Sequence, residues 1–125
     1  MPRVFFIEHD GARILFEDFS GVRTVDEAQP LFDEAMALVR QQAPQSLLIL
    51  TDVTGSRFDT EIVGGLKELA RHNTPYVVAS AVVGLTPLMR VINSAINRVA
   101  GRNIRAFDDA EDARSWLASQ RPTPP

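Results

Sequence analysis

Two runs of strand-forming residues open the chain, at 4–7 and 13–19, with Asp10-Gly11 between them. An Asp-Gly pair in this position is typical of a type I′ hairpin turn, which needs positive φ at both central residues. The second run does not sort into an apolar and a polar face, because Glu17 interrupts one set of alternate positions and Asp18 the other. We nevertheless predict a strand there, and therefore an antiparallel hairpin.

Apolar residues at helical spacing predict four helices after the hairpin. Thr24 and Glu27 have the spacing of a capping box, and Pro87 follows Thr86 as proline often follows an N-cap. The predicted helices are Thr24 to about Gln42, Asp59 to His72, Thr86 to Gly101, and a last one capped by Asp108 or Asp109. The third has the most regular apolar stripe, which we expect to be its buried face: Leu88, Val91, Ile92, Ala95, Ile96 and Val99.

Continuous aliphatic runs separate these helices at 47–50, 76–83 and 104–107. Such runs are expected of strands that are buried on both faces of a sheet. The order is therefore β-β-α-β-α-β-α-β-α, which predicts an α/β fold with a mixed, mostly parallel five-stranded sheet and about four helices. We expect one domain over residues 1–120 and a disordered tail over 121–125.

The composition excludes several classes of protein. The chain has 125 residues, 45% of them hydrophobic, a net charge of -3 and no cysteine, so neither a disulfide scaffold nor a thiolate zinc site fits. No apolar run approaches the roughly 18 residues needed to span a bilayer. The N-terminus leads directly into a strand-like run, which favours a cytoplasmic location. No metal-ligand spacing and no Gly-rich phosphate loop is present, so we expect no metal and no cofactor.

In open α/β sheets, ligands bind beyond the carboxyl ends of the strands. The loops expected at that edge are 52–59 and 84–86, the first of them next to a helix N-terminus that favours an anion. The candidate ligand-binding residues are Asp52, Thr54, Ser56, Arg57, Phe58, Gly84 and Thr86. The alternative is structural, with Asp52 and Thr54 tying down a turn and Asp59 or Thr60 capping the helix.

The charges are unevenly distributed. Residues 71–105 contain five arginines and no Asp or Glu. On the third helix and just after it, the candidate face for an anionic surface or membrane is Met89, Arg90, Arg98 and Arg102. A solvated face is the alternative interpretation. Nucleic acid is a poor fit, because the aromatic residues are few and are not interleaved with the arginines.

Catalytic patterns are weak, so we expect no enzyme and no catalytic residue. Asp52 follows a buried strand as the phosphoacceptor of a receiver domain does, but no acidic pair leads into a helix after the first strand and no lysine follows the last one. The segment 54–56 lacks the Gly-x-Ser-x-Gly pattern of a nucleophile elbow. His9 is next to the hairpin turn and His72 ends a helix, positions that suit solvated or capping side chains.

Several short segments together carry a family resemblance. They are Asp52–Phe58, Leu66-Lys67, Pro75–Val77, Ala81–Gly84, Gly101-Arg102, Ala113 and Trp116-Leu117. In this order and spacing the chain resembles the SpoIIAA-like family of STAS-related proteins, also called STAS/SEC14-like. The resemblance covers nearly the whole chain and implies a STAS-like α/β domain.

The resemblance also implies a function as a binding or regulatory module that is not an enzyme. Some STAS proteins are anti-sigma-factor antagonists that are switched by phosphorylation of a serine in an Asp-Ser-Ser-Gly segment. The corresponding segment here is Phe58-Asp59-Thr60-Glu61. The nearest hydroxyl groups, and therefore the candidate phosphorylation sites, are those of Thr60 and then Ser56. The SpoIIAA-like branch resembles lipid-carrier domains, which implies a small ligand or a membrane contact. The expected partners are therefore a small ligand, a lipid, a regulatory protein or a second copy of the chain.

Overall fold

A computed structural model describes residues 2–121. The strands are β1 (Val4–His9), β2 (Ala12–Asp18), β3 (Leu47–Asp52), β4 (Val77–Val83) and β5 (Ile104–Phe107). The helices are α1 (Val25–Arg40), α2 (Thr60–Asn73), α3 (Pro87–Ala100) and α4 (Ala110–Ser119). This order confirms the predicted α/β arrangement.

The five strands form one sheet in the order β1-β2-β3-β4-β5. β1 is antiparallel to β2, and β2 to β5 are parallel. The turn between β1 and β2 has positive φ at Asp10 (50°) and Gly11 (79°), as a type I′ turn requires. Because β2 to β5 share one direction, their carboxyl ends meet at one edge of the sheet, where the predicted ligand loops also lie.

Both faces of the sheet are covered. α4 packs on one face through Ala113 and Leu117, whereas α1 and α2 contribute Phe32 and Leu69 to the core on the other. β2 is therefore buried on both sides, with Ile14 facing the first core and Leu15 the second. This explains why its sequence shows no clean alternation, since neither face of the strand is solvated.

The predicted buried stripe of α3 is wrong for most of its residues, although Ile96 is buried as expected. Leu88, Val91 and Val99 are 70%, 67% and 50% exposed, while the buried residues are Met89, at 5%, and Ile96. Met89 was expected on the outer face, so that expectation is wrong as well. The helix is rotated so that much of its apolar stripe faces outward.

Two asparagines account for this rotation of α3. The Asn97 side chain accepts from the Ile104 N–H (2.8 Å) and donates to the Ile104 carbonyl (3.1 Å), to which Asn93 also donates (3.1 Å). Ile104 belongs to β5, an edge strand whose outer backbone groups need partners. Satisfying these groups holds the asparagine side of α3 against the sheet and leaves the aliphatic stripe outside.

The C-terminal segment is described only as far as Arg121. Its guanidinium donates to the carbonyl of Asp10 at 2.8 Å, across the hairpin turn. The remainder of the predicted tail, residues 122–125, lies outside the described residues. Within residues 2–121, no helix has both the length and the apolar character needed to cross a membrane.

Candidate functional site

Three polar residues lie on the sheet face that α2 and α3 cover. Glu17 of β2 is the cross-strand neighbour of Thr51 in β3, and one row further along Ile49 neighbours Ser80 of β4. Side chains alternate along a strand, so Thr51 shares its face with Ile49, and Ser80 therefore projects on that face too. The sheet thus presents a carboxyl and two hydroxyl groups to an otherwise apolar interior.

Glu17 is the least expected of these residues, because its side chain is only 2% exposed. Its Oε1 accepts a hydrogen bond from the Thr51 hydroxyl at 2.9 Å, whereas its Oε2 is buried and has no partner among residues 2–121. Burial raises the pKa of Glu17 from 4.5 to about 7, and the Thr51 hydrogen bond and the positive charge of Arg102 only partly oppose this. Glu17 can therefore be ionised or neutral near neutral pH.

A cavity of about 60 Å³ lies between this face of the sheet and helices α2 and α3. Aliphatic and aromatic side chains make up most of its wall. Its polar lining residues are Glu17, Thr51, Asn73, Ser80, Asn93 and Arg102. An engineered apolar cavity of about 150 Å³ binds benzene. This smaller cavity therefore suits several waters or the polar end of a small organic molecule.

Arg102 forms part of the cavity wall. Gly101, with φ of 66°, ends α3 in the left-handed conformation, and Arg102 follows it directly. The guanidinium donates to the Ala70 carbonyl (2.9 Å) and to the Ser80 hydroxyl (2.6 Å). Burial lowers the pKa of Arg102, and the nearby Glu17 carboxylate partly offsets this effect. The prediction that Arg102 belongs to an outer cationic face is therefore wrong, since its side chain turns inward to buried acceptors.

A second, more open groove of about 350 Å³ lies on the other side of Arg102 and Ser80, which line both spaces. Gln45, Trp116 and Gln120 also line this groove. The Arg102–Ser80 hydrogen bond thus separates the interior cavity from the groove.

The two loops predicted as the ligand site do lie together at the carboxyl edge of the sheet. A Cβ added to Gly84, which has φ of +89°, would lie 2.3 Å from the Thr54 hydroxyl oxygen. The Asp52 carboxylate accepts from the Thr54 amide at 2.9 Å, and the Ser56 hydroxyl donates to the Val53 carbonyl at 2.7 Å. These contacts stabilise the turn, as in the structural alternative.

Only one of the predicted ligand residues lines the cavity, namely Phe58. Leu85, between Gly84 and Thr86, lines it from the other loop, so the cavity extends to the predicted edge. Thr86 instead accepts from the Met89 amide (3.2 Å) as the N-cap of α3, and the side chain of Arg57 is exposed.

The candidate phosphorylation residues differ in accessibility. Thr60 is the first residue of α2 and is exposed, next to the N-cap Asp59. Ser56 is partly buried and its hydroxyl is engaged with the backbone. Phosphorylation at either residue stays a prediction.

On α3, Arg90 is paired with Asp108 and Arg98 is exposed. Arg98 therefore remains on the predicted anion face, where its neighbours are the exposed aliphatic residues of α3 rather than Met89.

Reasoning from the sequence missed Glu17 and the inward orientation of Arg102. The sequence did contain a signal for Glu17. It lies in an otherwise apolar run, two residues after Leu15, so in a strand it shares the face of Leu15 and is buried with it. For Arg102 no comparable signal exists, because its orientation depends on where α3 ends over the sheet. Among residues 2–121, no group of three or more His, Asp and Glu side chains is arranged to hold a metal ion.

Comparisons with known proteins bear on the fold. No family model matches the chain, and no curated protein matches it significantly. The chain is similar to the crystal structure of an uncharacterised protein from the DUF3478 family, with a SpoIIAA-like fold, from Shewanella loihica PV-4. The TM-score is 0.67 at 17% sequence identity, over 91% of each chain. Together with the sheet order and the four helices, this similarity shows that the chain has a SpoIIAA-like fold.

Proposed function

We propose that this protein is a non-enzymatic binding module that holds a small ligand in the cavity between the sheet and helices α2 and α3. The observation that carries the proposal is the Oε2 atom of Glu17, a buried carboxyl oxygen at the cavity wall to which no group in residues 2–121 donates a hydrogen bond. The proposed site therefore lies beneath the predicted loops, with Phe58 at its edge.

The energetic cost of Glu17 supports a ligand. A buried polar group without a partner costs about 1–3 kcal/mol, whereas an apolar residue of similar shape would cost nothing of this kind. The cost is recovered when a bound molecule or an ordered water supplies the missing hydrogen bond. Thr51 satisfies only one of the two carboxyl oxygens.

The composition of the wall supports binding rather than catalysis. Ligand sites combine apolar walls with a few polar groups that fix orientation, and this cavity has that composition. A candidate nucleophile would need a base within hydrogen-bond reach. Thr51 donates to Glu17, but among residues 2–121 no third group orients Glu17 as the base of such a pair, because its Oε2 has no partner; Ser80 accepts from the Arg102 cation.

Amide NMR spectra of the labelled protein test the proposal. Carboxylates, amides, alcohols and amines of two to four carbons are added one at a time, and we expect at least one to shift the signals of Thr51 and Ser80. Val82→Phe fills the cavity and should abolish these shifts, whereas Val78→Phe, on the groove side of the same strand, should preserve them. Circular dichroism checks that both variants fold. The proposal is wrong if no probe shifts these signals, or if a folded Val82→Phe protein binds as the wild type does.

A second candidate function is contact with an anionic membrane surface, favoured by the outward apolar stripe of α3. Leu88, Val91 and Val99 are exposed on this helix, and Arg98 is exposed next to Val99. Exposed aliphatic side chains next to a cation are typical of helices that lie in a membrane interface.

Co-sedimentation with phosphatidylcholine vesicles, with and without about 30% phosphatidylserine, tests the membrane candidate. We expect binding only with phosphatidylserine and its loss at high salt. Val91→Asp should prevent binding, whereas Ser94→Asp, which adds the same charge at an exposed position of α3, should weaken it less. Absent or salt-insensitive binding would remove this candidate.

A further inference from the structure

We propose that the ligand is a short-chain monocarboxylate whose carboxylate group lies between the carboxyl group of Glu17 and the guanidinium of Arg102. This inference rests on the proposed function and specifies the chemical class of its ligand. Glu17 would bind in its neutral form and donate a hydrogen bond from Oε2, while Arg102 would supply the positive charge.

The two groups face one cavity without satisfying each other. Within residues 2–121, no Glu17 oxygen approaches an Arg102 nitrogen within the 4.0 Å of an ion pair, yet both line the cavity. Arg102 gives two hydrogen bonds to the protein, and a guanidinium has five N–H donors. A planar acceptor with two oxygens, such as a carboxylate, can contact an Arg102 donor with one oxygen and Glu17 with the other.

The remaining walls carry no charge. Across the sheet, Glu17 has Val4 and Thr51 as neighbours, and α1 contributes apolar side chains to this core. The residues that α2 and α3 contribute to the lining are Leu66, Leu69, Ala70, Asn73, Asn93 and Ile96. In the part of the chain that the structure describes, Glu17 and Arg102 are therefore the only charged or titratable groups in the lining.

This charge balance selects the ligand class. With Glu17 neutral, the cavity contains the single positive charge of Arg102, which a ligand carboxylate neutralises. An ammonium group would instead place a second cation beside Arg102 in a poorly solvated space. An amide or an alcohol would contribute hydrogen bonds but no compensating charge.

The size of the cavity limits the carbon chain. A volume of about 60 Å³ is less than half of the roughly 150 Å³ that holds benzene. The aliphatic wall, which includes Ile49 and Val82, suits a short apolar chain. We therefore expect acetate and propionate to fit, and butyrate and longer or branched acids to bind more weakly.

Binding of a carboxylate would be linked to one proton. When Glu17 is ionised, it must take up a proton from solvent before it can donate to the ligand oxygen. Propionate itself is ionised above pH 6. With the Glu17 pKa at about 7, the dissociation constant for propionate should be roughly tenfold higher at pH 8 than at pH 6. An amide that donates to ionised Glu17 would show the opposite dependence.

The test compares four probes of similar size, propionate, propionamide, propan-1-ol and propylamine, in amide NMR titrations at pH 6 and pH 8. We expect propionate to bind most tightly at pH 6 and to weaken roughly tenfold by pH 8. If propionamide or propan-1-ol binds more tightly than propionate at pH 6, the carboxylate class is wrong while the proposed function stands. If neither these four probes nor the two- to four-carbon compounds of the first experiment shift the amide signals of Thr51 and Ser80, the carboxylate class and the proposed function both fail.

Variants separate the roles of the two charged groups. Glu17→Gln has a permanent N–H donor, so it should bind propionate with a dissociation constant that changes less than threefold between pH 6 and pH 8. The exposed control Glu68→Gln should keep the wild-type dependence. Arg102→Gln should weaken propionate at least tenfold and propan-1-ol much less, while Arg98→Gln should leave both unchanged. Unaltered propionate binding in a folded Arg102→Gln protein would overturn the inference, as would an unaltered pH dependence in Glu17→Gln.

Discussion

Replacing Glu17 by glutamine should change how the stability of the protein depends on pH. The carboxyl group is 2% exposed, and its pKa in the folded protein is about 7, against an ordinary value of 4.5. Each factor of ten in proton affinity corresponds to about 1.4 kcal/mol. Ionised Glu17 should therefore cost the folded protein about 3 kcal/mol relative to neutral Glu17.

The sign follows from which state binds the proton more tightly. The folded protein holds the Glu17 proton up to a higher pH than the unfolded chain does. The stability that Glu17 contributes is therefore fully present below pH 4.5 and is lost as the pH rises through about 7. Glutamine does not titrate, so the variant should lack this loss while its side-chain oxygen can still accept from Thr51.

Urea unfolding of the wild type and Glu17→Gln, at pH values from 5 to 8, measures the effect. The free energy of unfolding of Glu17→Gln relative to the wild type should increase by about 2–3 kcal/mol over this range. The difference between the proteins isolates Glu17, because the other carboxylates titrate in both. Glu68→Gln, at an exposed position of α2, should show a constant difference from the wild type.

A constant difference between Glu17→Gln and the wild type from pH 5 to 8 would refute the reasoning. It would mean that Glu17 has the same pKa in the folded and unfolded states, and therefore that Thr51, Arg102 or water fully offsets the effect of burial. A difference that decreases with pH would contradict it more strongly, because Glu17 would then be stabilised in its ionised form.

Two further predictions concern the packing of α2 and the hydrogen bonds between α3 and β5. Gly65→Ala should destabilise the protein by about 1–3 kcal/mol, because the new Cβ would lie 2.3 Å from the ring of the buried Phe32. Gly64→Ala has open space at the Cβ position and should stabilise the protein by roughly 0.5–1 kcal/mol. Thermal unfolding of both variants measures the two effects, and equal effects would contradict the prediction. Asn97→Ala should accelerate amide hydrogen exchange at Ile104 in β5, and an unchanged rate would show that the side-chain contact does not protect the edge strand.

Much of the fold could be predicted from local signals. The turn at Asp10-Gly11 has the expected positive φ, and Thr24, Thr86 and Asp109 each accept from a backbone amide at the start of a helix. Such features depend on neighbours only a few residues away, so the sequence predicts them directly. The continuous aliphatic run of β3 likewise indicated a strand buried on both sides.

The candidate site was predicted less completely. The loops at the carboxyl edge lie where the element order places them, and Phe58 reaches the cavity. Their polar groups, however, are largely bonded within the turn, whereas the unsatisfied polar atom that faces the cavity is one strand away at Glu17. Spacing along the chain cannot show this, since the pairing of Glu17 with Thr51 joins residues far apart in sequence.

By itself, the sequence determined the order of the elements, the hairpin, the helix starts and the mostly parallel sheet. The tertiary structure decided which face of α3 is buried: Asn93 and Asn97 hydrogen-bond to Ile104 of the edge strand, while Leu88 and Val91 stay exposed. It also buried Glu17 and turned Arg102 towards it. Local signals act through turns and caps over a few residues, whereas burial and the placing of two charged groups in one cavity depend on residues that only the folded sheet and helices bring together.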